Sequence, residues 1–262
     1  GMAVIESLKS QNYLTKDIVI TKNGEWLDGG IIKSNQQSLE GIDMVFIAMH
    51  GAYAEDGEIQ KLLKRKNIRF NGSSSLSSAI AFNKHLTKET LKSHGILMPQ
   101  HYLITKEAIV DIDKTISLIK NSFGPEYMIK PVANGSSIGT RLVREGDSLK
   151  DNIIEAFKFF DSLLIEEFIR GKEASCAILE NFRDKNIYSF PTLELVYPSH
   201  YQYFTNEARK NNDSKAVCPS RFSYEERSKI ENISAEIHEI LGLTQYSSSD
   251  FIVRDGNVYF LE

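Results

Sequence analysis

A lysine at the end of a short apolar strand, followed by a loop of small residues, is the strongest chemical signal in the sequence. Lys130 precedes Pro-Val-Ala-Asn-Gly-Ser-Ser-Ile-Gly, which places Ser136 and Ser137 in the loop. Glycines let backbone N–H groups turn toward an anion, hydroxyls add donors, and the lysine adds positive charge for phosphate oxygens. The lysine precedes the glycines, so the pattern is not a P-loop. It predicts a phosphate-binding loop, and an ordinary Gly/Ser hairpin is the alternative.

A second candidate site lies where another apolar strand ends in acids. Glu166, Glu167, Phe168 and Ile169 close this strand, and Glu173 follows after Arg-Gly-Lys. A strand that runs into an extended segment can offer backbone groups to an adenine edge, and a carboxylate can accept from ribose hydroxyls. Solvated acids at a strand end are the alternative interpretation, and the segment alone favours it.

The last segment predicts a hairpin with two acids that could hold a metal. Asp250 and Glu262 flank two alternating strands around Asp255-Gly256. A three-residue loop would put the two acids directly opposite each other, whereas a two-residue loop would turn them to opposite faces. Opposed like charges need a cation, and Mg²⁺ prefers carboxylates and phosphates. The alternative is a two-residue turn with unrelated acids, which Asp-Gly favours.

Composition limits the classes of partner. The chain has 262 residues, 41% of them hydrophobic, and 31 Lys and Arg against 35 Asp and Glu give a net charge of −4. No basic surface is available for DNA or anionic lipid, so we expect neither nucleic acid nor a membrane as a partner. The two cysteines, Cys176 and Cys218, are too few for a disulfide scaffold, which favours the cytoplasm.

The elements that position these residues alternate between strands and helices. The apolar run MVFIAM from Met44 predicts a buried parallel strand, and EIQKLLKRK followed by IRFNG predicts a helix and a further strand. One helix is predicted over 75–94, with Leu76 and Leu86 on its apolar side and Gly95 as its stop. This helix contains Lys84, for which a solvated surface position is the simplest interpretation. Ser223 and Glu226 predict the capping box of a final helix.

Taken in order, these segments resemble the D-alanine–D-alanine ligases of the ATP-grasp superfamily. The matching blocks run from about Asp43 onward and are HGAYAEDGEIQ, FNGSSSLSSAIAFNKHLTK, MIKPVANGSSIG, LIEEFIRGKE and SDFIVRDGNVYFLE. The resemblance implies an α/β and α+β chain with an ATP-grasp fold. It implies a partial Rossmann-like N-terminal domain over 1–72, a central subdomain over 73–166 and an incomplete C-terminal subdomain over 167–262.

The resemblance also implies roles for individual side chains. The positions that contact ATP correspond to Lys84, Lys130, Ser136, Ser137, Glu166, Glu167, Phe168, Ile169 and Glu173. The Mg²⁺ ligands correspond to Asp250 and Glu262, and the catalytic positions to Ser136, Arg209 and Lys210. The implied reaction transfers the γ-phosphate of ATP to a D-alanine carboxylate, after which the amine of a second D-alanine attacks the acyl phosphate. This is a step of peptidoglycan precursor synthesis. The resemblance further implies a homodimer formed through the N-terminal domain.

Several positions depart from the family pattern. Ser248 stands where the family has an arginine that stabilises the tetrahedral intermediate, and Arg209-Lys210 stands where it has Lys-Tyr. Asn83 replaces an aspartate and Asn134 a glutamate. We expect a chain truncated at both ends, with the strand for the first D-alanine before residue 1 and an asparagine ligand beyond Glu262. The alternative function is an ATP-binding homologue that is catalytically impaired or joins a different carboxylate and amine.

Overall fold

The computed structural model describes residues 1–107, 109 and 111–262. The chain forms two compact units, one of residues 1–50 and 59–71 and the other of residues 51–58 and 72–262. No helix among the described residues has the length and apolar character needed to cross a bilayer.

The first part of the chain contains short elements. In chain order these are α1 Met2–Ser10, β1 Ile18–Ile20, β2 Trp26–Asp28, β3 Ile31–Lys33, α2 Asn35–Ser38, β4 Met44–Val45, α3 Glu58–Arg65 and β5 Arg69–Phe70. Strands β1, β2 and β3 form an antiparallel sheet, and β4 pairs with β5 in parallel. The predicted parallel pairing is confirmed, but the predicted burial is wrong, because Met44 is 52% exposed and Phe46 51% exposed. An apolar run in the sequence shows that a segment is hydrophobic, but it does not show whether another element covers that segment.

The predicted helix over 75–94 is two helices, α4 Ser75–Phe82 and α5 Lys84–Lys92. Asn83 lies between them in an extended conformation, and its side chain accepts a hydrogen bond from Leu86 N at 3.0 Å. Asparagine is a favoured N-cap because its side chain satisfies a free N–H of the first turn. The break also makes the predicted apolar side wrong, since Leu76 and Leu86 are exposed. The buried residues of α5 are instead Lys84, Thr87, Lys88 and Leu91.

One antiparallel sheet of the second unit has the strand order β6-β9-β7-β8. Its elements are β6 His101–Thr105, α6 Ile112–Ser122, β7 Tyr127–Pro131, β8 Arg141–Val143, α7 Leu149–Ala156 and β9 Ser162–Glu167. Every residue of β7 is buried, which places the Lys130 side chain inside the protein. The helices pack on one face of the sheet around a core that includes Ile116, Ile119, Ile129, Ile153 and Leu163.

The other sheet has the order β13-β12-β10-β14-β15, with β11 paired to β10. Its elements are β10 Lys172–Phe182, β11 Lys185–Ser189, β12 Leu193–Val196, α8 Asn206–Lys210, β13 Lys215–Val217, α9 Tyr224–Ile240, β14 Tyr246–Arg254 and β15 Asn257–Phe260. The predicted capping box of Ser223 and Glu226 is confirmed at the start of α9. Helix α9 covers the sheet through a core that includes Ile230, Ile237, Phe251, Val258 and Phe260.

Gly171 holds the start of β10 close to β14. A Cβ atom at this position would lie 2.5 Å from Ile252 Cγ2 and 2.6 Å from Val253 O. A contact that short with backbone cannot be relieved by a side-chain rotation, so the approach requires glycine. The segment after β9 is thereby held against β14, which carries Asp250.

Candidate active site

Side chains from both sheets of the second unit line one cleft. It brings together the predicted residues Lys84, Lys130, Ser136, Ser137, Glu166, Glu167, Phe168, Ile169, Glu173, Arg209, Asp250 and Glu262. Lys210 is the exception, because its side chain is exposed on α8 and does not line the cleft. Segments far apart in sequence therefore meet at one place.

A buried network of charges forms one end of the cleft. Glu166 is 1% exposed, and its two carboxylate oxygens face Lys88 Nζ at 2.9 Å and Lys130 Nζ at 2.6 Å. Burial alone would raise the pKa of Glu166, but the two ammonium groups lower it to about 2. Burial alone would lower the pKa of Lys130, but the carboxylates of Glu166, Glu262 and Glu173 raise it. Lys130 therefore keeps its positive charge although it is buried.

Lys84 connects the helix α5 to both edges of the cleft. It is the first residue of α5 and is buried, so the predicted surface position is wrong. Its Nζ donates to Asn134 O at 2.7 Å and lies 2.7 Å from Glu262 Oε2. One ammonium group thus contacts the Gly/Ser loop and the acidic end of the last hairpin.

Two backbone N–H groups of the segment that follows Glu166 form hydrogen bonds within the protein. The N–H of Glu167 donates to Gln100 O at 2.9 Å, and the N–H of Phe168 donates to Glu126 O at 3.2 Å. These bonds fix the exit of β9 and leave the N–H of Ile169 as the donor of this segment that a ligand could use. The Oε1 atom of Glu166 is buried and lies 2.9 Å from Lys88 Nζ, so the protein itself encloses it.

Glu173 is held by the loop of residues 197–205 between β12 and α8, the aromatic loop. Its Oε1 accepts from Tyr197 Oη at 2.8 Å and from Phe204 N at 2.7 Å. Burial raises the pKa of Glu173, against the effect of these two hydrogen bonds. One carboxylate oxygen thus anchors the loop, and the other remains for a further donor.

The Gly/Ser loop is closed over the cleft by contacts to the aromatic loop and α8. Ser137 Oγ donates to Phe204 O at 3.2 Å, Asn206 Nδ2 donates to Ser136 O at 2.9 Å, and Arg209 Nη1 donates to Ser136 Oγ at 3.1 Å. Ser136 and Ser137 have φ values of 56° and 54°, in the left-handed region. A run of such residues bends the backbone so that N–H groups can converge on an anion.

The final hairpin has a two-residue turn and not the three-residue loop that the pairing of Asp250 with Glu262 was predicted to need. Arg254 pairs with Asn257 across Asp255 and Gly256, and the same register puts Asp250 opposite Leu261. Positive φ at both turn residues is typical of a type I′ turn, whose twist suits a hairpin. Asp250 N–H nevertheless donates to Glu262 O at 2.7 Å, and Leu261 N–H donates to Asp250 O at 2.8 Å. Two residues thus oppose Asp250, as in a β-bulge, and both acids line the same cleft.

The pKa values of the two acids of this hairpin shift in opposite directions. Burial raises the pKa of Asp250 to about 6, with the charges of Glu262 and Glu173 acting in the same direction and the hydrogen bond from Ser175 and the charge of Arg209 acting against it. Burial would also raise the pKa of Glu262, but Lys84 and Lys130 lower it. A carboxylate in such surroundings is favoured in its charged form only when a cation is near. The oxygen donors and their unbalanced charge fit a hard cation such as Mg²⁺.

Ser248 lies two residues before Asp250 on β14, and its Oγ lies 3.2 Å from Ser175 Oγ. Residues two apart on a strand share a face, so a charged side chain at this position would lie on the side of Asp250. Arg209 is the cation whose charge lowers the pKa of Asp250. The positive charge that acts on Asp250 therefore comes from α8 and not from β14.

Lys88 and the aromatic loop belong to the site but were not predicted from the sequence. Lys88 lies four residues after Lys84, and this spacing puts both side chains on one face of a helix. Two lysines on the face that also carries Thr87 and Leu91 are a signal that a helical projection could have found. Tyr203 and Phe204 also line the cleft, but no local pattern marks them as site residues.

Two facing antiparallel sheets with lysines, acids and a Gly/Ser loop in the cleft between them form the ATP-grasp fold. The D-alanine–D-alanine ligase from Bacillus anthracis, solved in complex with ATP, superposes with a TM-score of 0.71, covering 87% of this chain and 69% of that chain at 24% identity. The VanG D-Ala:D-Ser ligase from Enterococcus faecalis superposes with a TM-score of 0.72, covering 94% and 69% at 24% identity. The predicted fold class is confirmed.

Sequence comparison identifies the family. The model described as D-ala D-ala ligase C-terminus matches residues 90–262, and the one described as D-ala D-ala ligase N-terminus matches residues 28–73. A D-alanine–D-alanine ligase from Maridesulfovibrio salexigens is 33% identical over 224 residues, which cover 85% of this chain and 70% of that protein. The chain belongs to the D-alanine–D-alanine ligase family, as its motifs predicted.

Proposed function

We propose that this protein is an ATP- and Mg²⁺-dependent ligase that joins two D-alanine molecules for peptidoglycan precursor synthesis. The observation that carries the proposal is the shared cleft, in which two buried lysines and a closed Gly/Ser loop face two carboxylates of the last hairpin. Phosphoryl transfer needs positioning and charge neutralisation more than covalent help from the protein. Membership of the family supplies the substrate class.

The nucleotide would lie between the two sheets. Ile169 N–H is the group available to an adenine edge, Glu166 lines this part of the cleft, and Glu173 Oε2 is available to a ribose hydroxyl. Lys84 and Lys130 provide positive charge for the phosphates, with Ser136 and Ser137 above them. Glu167 and Phe168 would form the side of the base pocket, because both line the cleft at that end.

The metal site would be formed by Asp250 and Glu262. A bound Mg²⁺ would neutralise charge on the phosphates and orient the γ-phosphate. The chain's own contribution is to hold Asp250 as a carboxylate next to the phosphates and to release Lys84 from Glu262. The residues present fit this ion because they offer carboxylate oxygens, which are the ligands that Mg²⁺ prefers.

The reaction would proceed in two balanced steps. A carboxylate oxygen of the first D-alanine attacks the γ-phosphorus and ADP leaves, which gives an acyl phosphate. The amine of the second D-alanine then attacks the acyl carbon, loses a proton, and inorganic phosphate leaves. Arg209 and Ser136 lie at the closed loop and would stabilise the charge that develops on the acyl group, which is the role we expect of an oxyanion donor.

The division of the second unit into lobes is part of the proposal. We assign the β6-β9-β7-β8 sheet to the central ATP-grasp subdomain and the sheet containing β14 and β15 to the C-terminal one, with the change near residue 166. We further propose a homodimer through the first unit, which exposes Val19, Ile31 and Ile32 on its small sheet. Because ATP is the energy source, we expect the reaction to occur in the cytoplasm.

The test is release of phosphate from Mg-ATP by the full-length, untagged protein with D-alanine, L-alanine or D-serine as the amino acid. We expect D-alanine to stimulate release and L-alanine to leave it at the background rate, with D-alanyl-D-alanine detected by mass spectrometry. Thermal shift with Mg-ATP is measured in parallel. Stabilisation by nucleotide without turnover of any amino acid would overturn the proposed ligase activity and favour a nucleotide-binding homologue.

A further inference from the structure

Three side chains that can bind a metal meet behind the cleft, at the junction of α5 and β6. His85 and Glu89 lie on α5 and His101 begins β6, and each offers one ligand atom, all within 4.8 Å of one another. Residues four apart on a helix share a face, so His85 and Glu89 point the same way. The proposed ligase reaction makes no use of this cluster.

The hydrogen bond of His101 fixes which of its nitrogens is available. His101 Nδ1 lies 3.3 Å from the carbonyl oxygen of Pro99, which can only accept, so Nδ1 carries the proton. Burial and the charge of Lys88 lower the pKa of His101, which favours the neutral ring. Its Nε2 then presents a lone pair to Glu89 Oε1 at 3.5 Å. Two acceptors that face each other are satisfied by a cation between them.

His85 supplies a second, independent observation. Its Nδ1 is buried and has no hydrogen-bond partner. Its ring lies edge-on to the ring of His101, with 6.3 Å between the centroids. A buried polar atom without a partner is destabilising, and a metal bound at this nitrogen would supply the partner.

We propose that His85, Glu89 and His101 form a binding site for a divalent transition metal of the zinc type. Two neutral imidazoles and one carboxylate suit Zn²⁺ and Co²⁺, whereas Mg²⁺ prefers oxygen ligands alone. The backbone carbonyl that orients His101 is the outer partner that ligating histidines have in most metal sites. Three protein ligands leave one position of a tetrahedral ion for water.

The distances allow the site to close around an ion. Zinc–ligand bonds of about 2.0–2.2 Å put tetrahedral ligand atoms roughly 3.3–3.6 Å apart, so the cluster must contract by about 1 Å. Glu89 can supply this movement because its side chain is 43% exposed. Lys92, 3.8 Å from Glu89 Oε1, is 71% exposed and can turn away. The charge of buried Lys88 is balanced by Glu166.

A metal bound at this site would join two elements that form the wall of the cleft. Helix α5 carries Lys84 and Lys88, and His101 pairs with Glu166 in the register of β6 and β9. An ion held by both elements would fasten the helix with the lysines to the sheet with their carboxylate partner. We expect the ion to stabilise the fold, and this effect can be measured apart from any ligase activity.

The test is a titration of the untagged, metal-free chain with Co²⁺, followed by visible absorption and by competition with Zn²⁺. We expect one equivalent to bind with an absorption typical of nitrogen and oxygen ligands and to be displaced by Zn²⁺. Glu89→Gln and His101→Gln should each weaken binding by at least about tenfold. The matched control is His94→Gln, which changes an exposed histidine just past the same helix and should bind Co²⁺ as the parent chain does.

The variant Asp250→Asn tests whether Co²⁺ binds at the acids of the cleft instead. We expect this variant to retain the Co²⁺ spectrum. Saturating Zn²⁺, at about 100 times its Kd, should raise the Tm of the parent chain by roughly 5–10 °C and that of Glu89→Gln by much less. Because Glu89 is half-exposed, this variant should fold even if His101→Gln does not. Equal binding by the parent chain and Glu89→Gln, or loss of the spectrum in Asp250→Asn, would overturn the proposal.

Discussion

The two ends of the cleft shift the pKa of a carboxyl group in opposite directions. At one end, Glu166 lies between Lys88 and Lys130, and its pKa falls to about 2. At the other end, burial and the neighbouring acids Glu262 and Glu173 raise the pKa of Asp250 to about 6. Both acids belong to antiparallel sheets of the same unit, so the difference lies in the cations that surround them.

The protein supplies the partners for the charge of Glu166, whereas the charge of Asp250 is left for a ligand to stabilise. In the Glu166 network each charged group has a partner of opposite charge within 2.9 Å, so its ion pairs form before any nucleotide binds. At the Asp250 end, burial and two neighbouring acids disfavour the charged carboxylate, which costs stability and creates affinity for a cation. Sites that bind or catalyse are where such local costs are expected.

Removing the ion pairs of Glu166 should have the largest effect on stability. Glu166→Gln leaves Lys88, which is fully buried, facing an uncharged amide. Removing one partner of a buried ion pair typically costs about 3–5 kcal/mol, because the remaining charge stays uncompensated. The free energy of unfolding, measured by urea denaturation, should fall by this amount. Glu167→Gln, at the next and more exposed position, is the matched control, and equal losses in the two variants would contradict the role of the network.

Removing the acid at the other end should affect the rate rather than the fold. Asp250→Asn takes away a proposed Mg²⁺ ligand, and we expect D-alanine-dependent phosphate release to fall about 100- to 1000-fold. Asp255→Asn is the control, because Asp255 lies in the exposed hairpin turn with a φ of 50° that asparagine tolerates. An Asp250→Asn enzyme with nearly full activity and unchanged Mg²⁺ dependence would show that the metal lies elsewhere.

The same variant should be more stable than the parent chain at high pH when metal is absent. Since the pKa of Asp250 is about 6 in the folded state and 3.8 in the reference state, this group favours folding only while it is protonated. That contribution is present below the lower value and is lost as pH rises through the higher one. At about pH 8 we expect Asp250→Asn to gain about 1–3 kcal/mol.

This gain should shrink as pH falls and disappear near pH 4, which thermal unfolding at several pH values would measure. Saturating Mg-ATP should reverse the order, because it stabilises the parent chain and not the variant. A gain that does not vary with pH would mean that the carboxylate of Asp250 is not the group responsible.

The smallest effect should come from the contacts that close the Gly/Ser loop. Arg209→Met removes the hydrogen bond to Ser136 Oγ and the guanidinium that lies 5.1 Å from the centre of the Phe204 ring. A loss of about 1–1.5 kcal/mol should raise the KM for ATP about five- to tenfold. Lys210→Met, on the exposed side of the same helix, should stay within about twofold. A larger effect at Lys210 would restore it as a catalytic residue.

The sequence by itself determined the order of the motifs and the residue types that each supplies. Lys130 with its Gly/Ser loop, the acids at 166 and 173, and the strands that carry Asp250 are local patterns, and a chain of weak motifs in one order identified the fold and family. Helix α9 was predicted because its capping residues, Ser223 and Glu226, lie close together in the sequence. Local rules suffice where the partners of an element are close in sequence.

Only the tertiary structure decided which charges compensate each other. It divided the helix at Asn83, buried Lys84 and Lys88, and put Glu262 beside Asp250 although the register of the hairpin places Leu261 opposite it. It also brought His101 to His85 and Glu89. These outcomes depend on burial and on distances of a few ångströms between residues far apart in the chain. Electrostatic energies change with both, and no local pattern of residues encodes them.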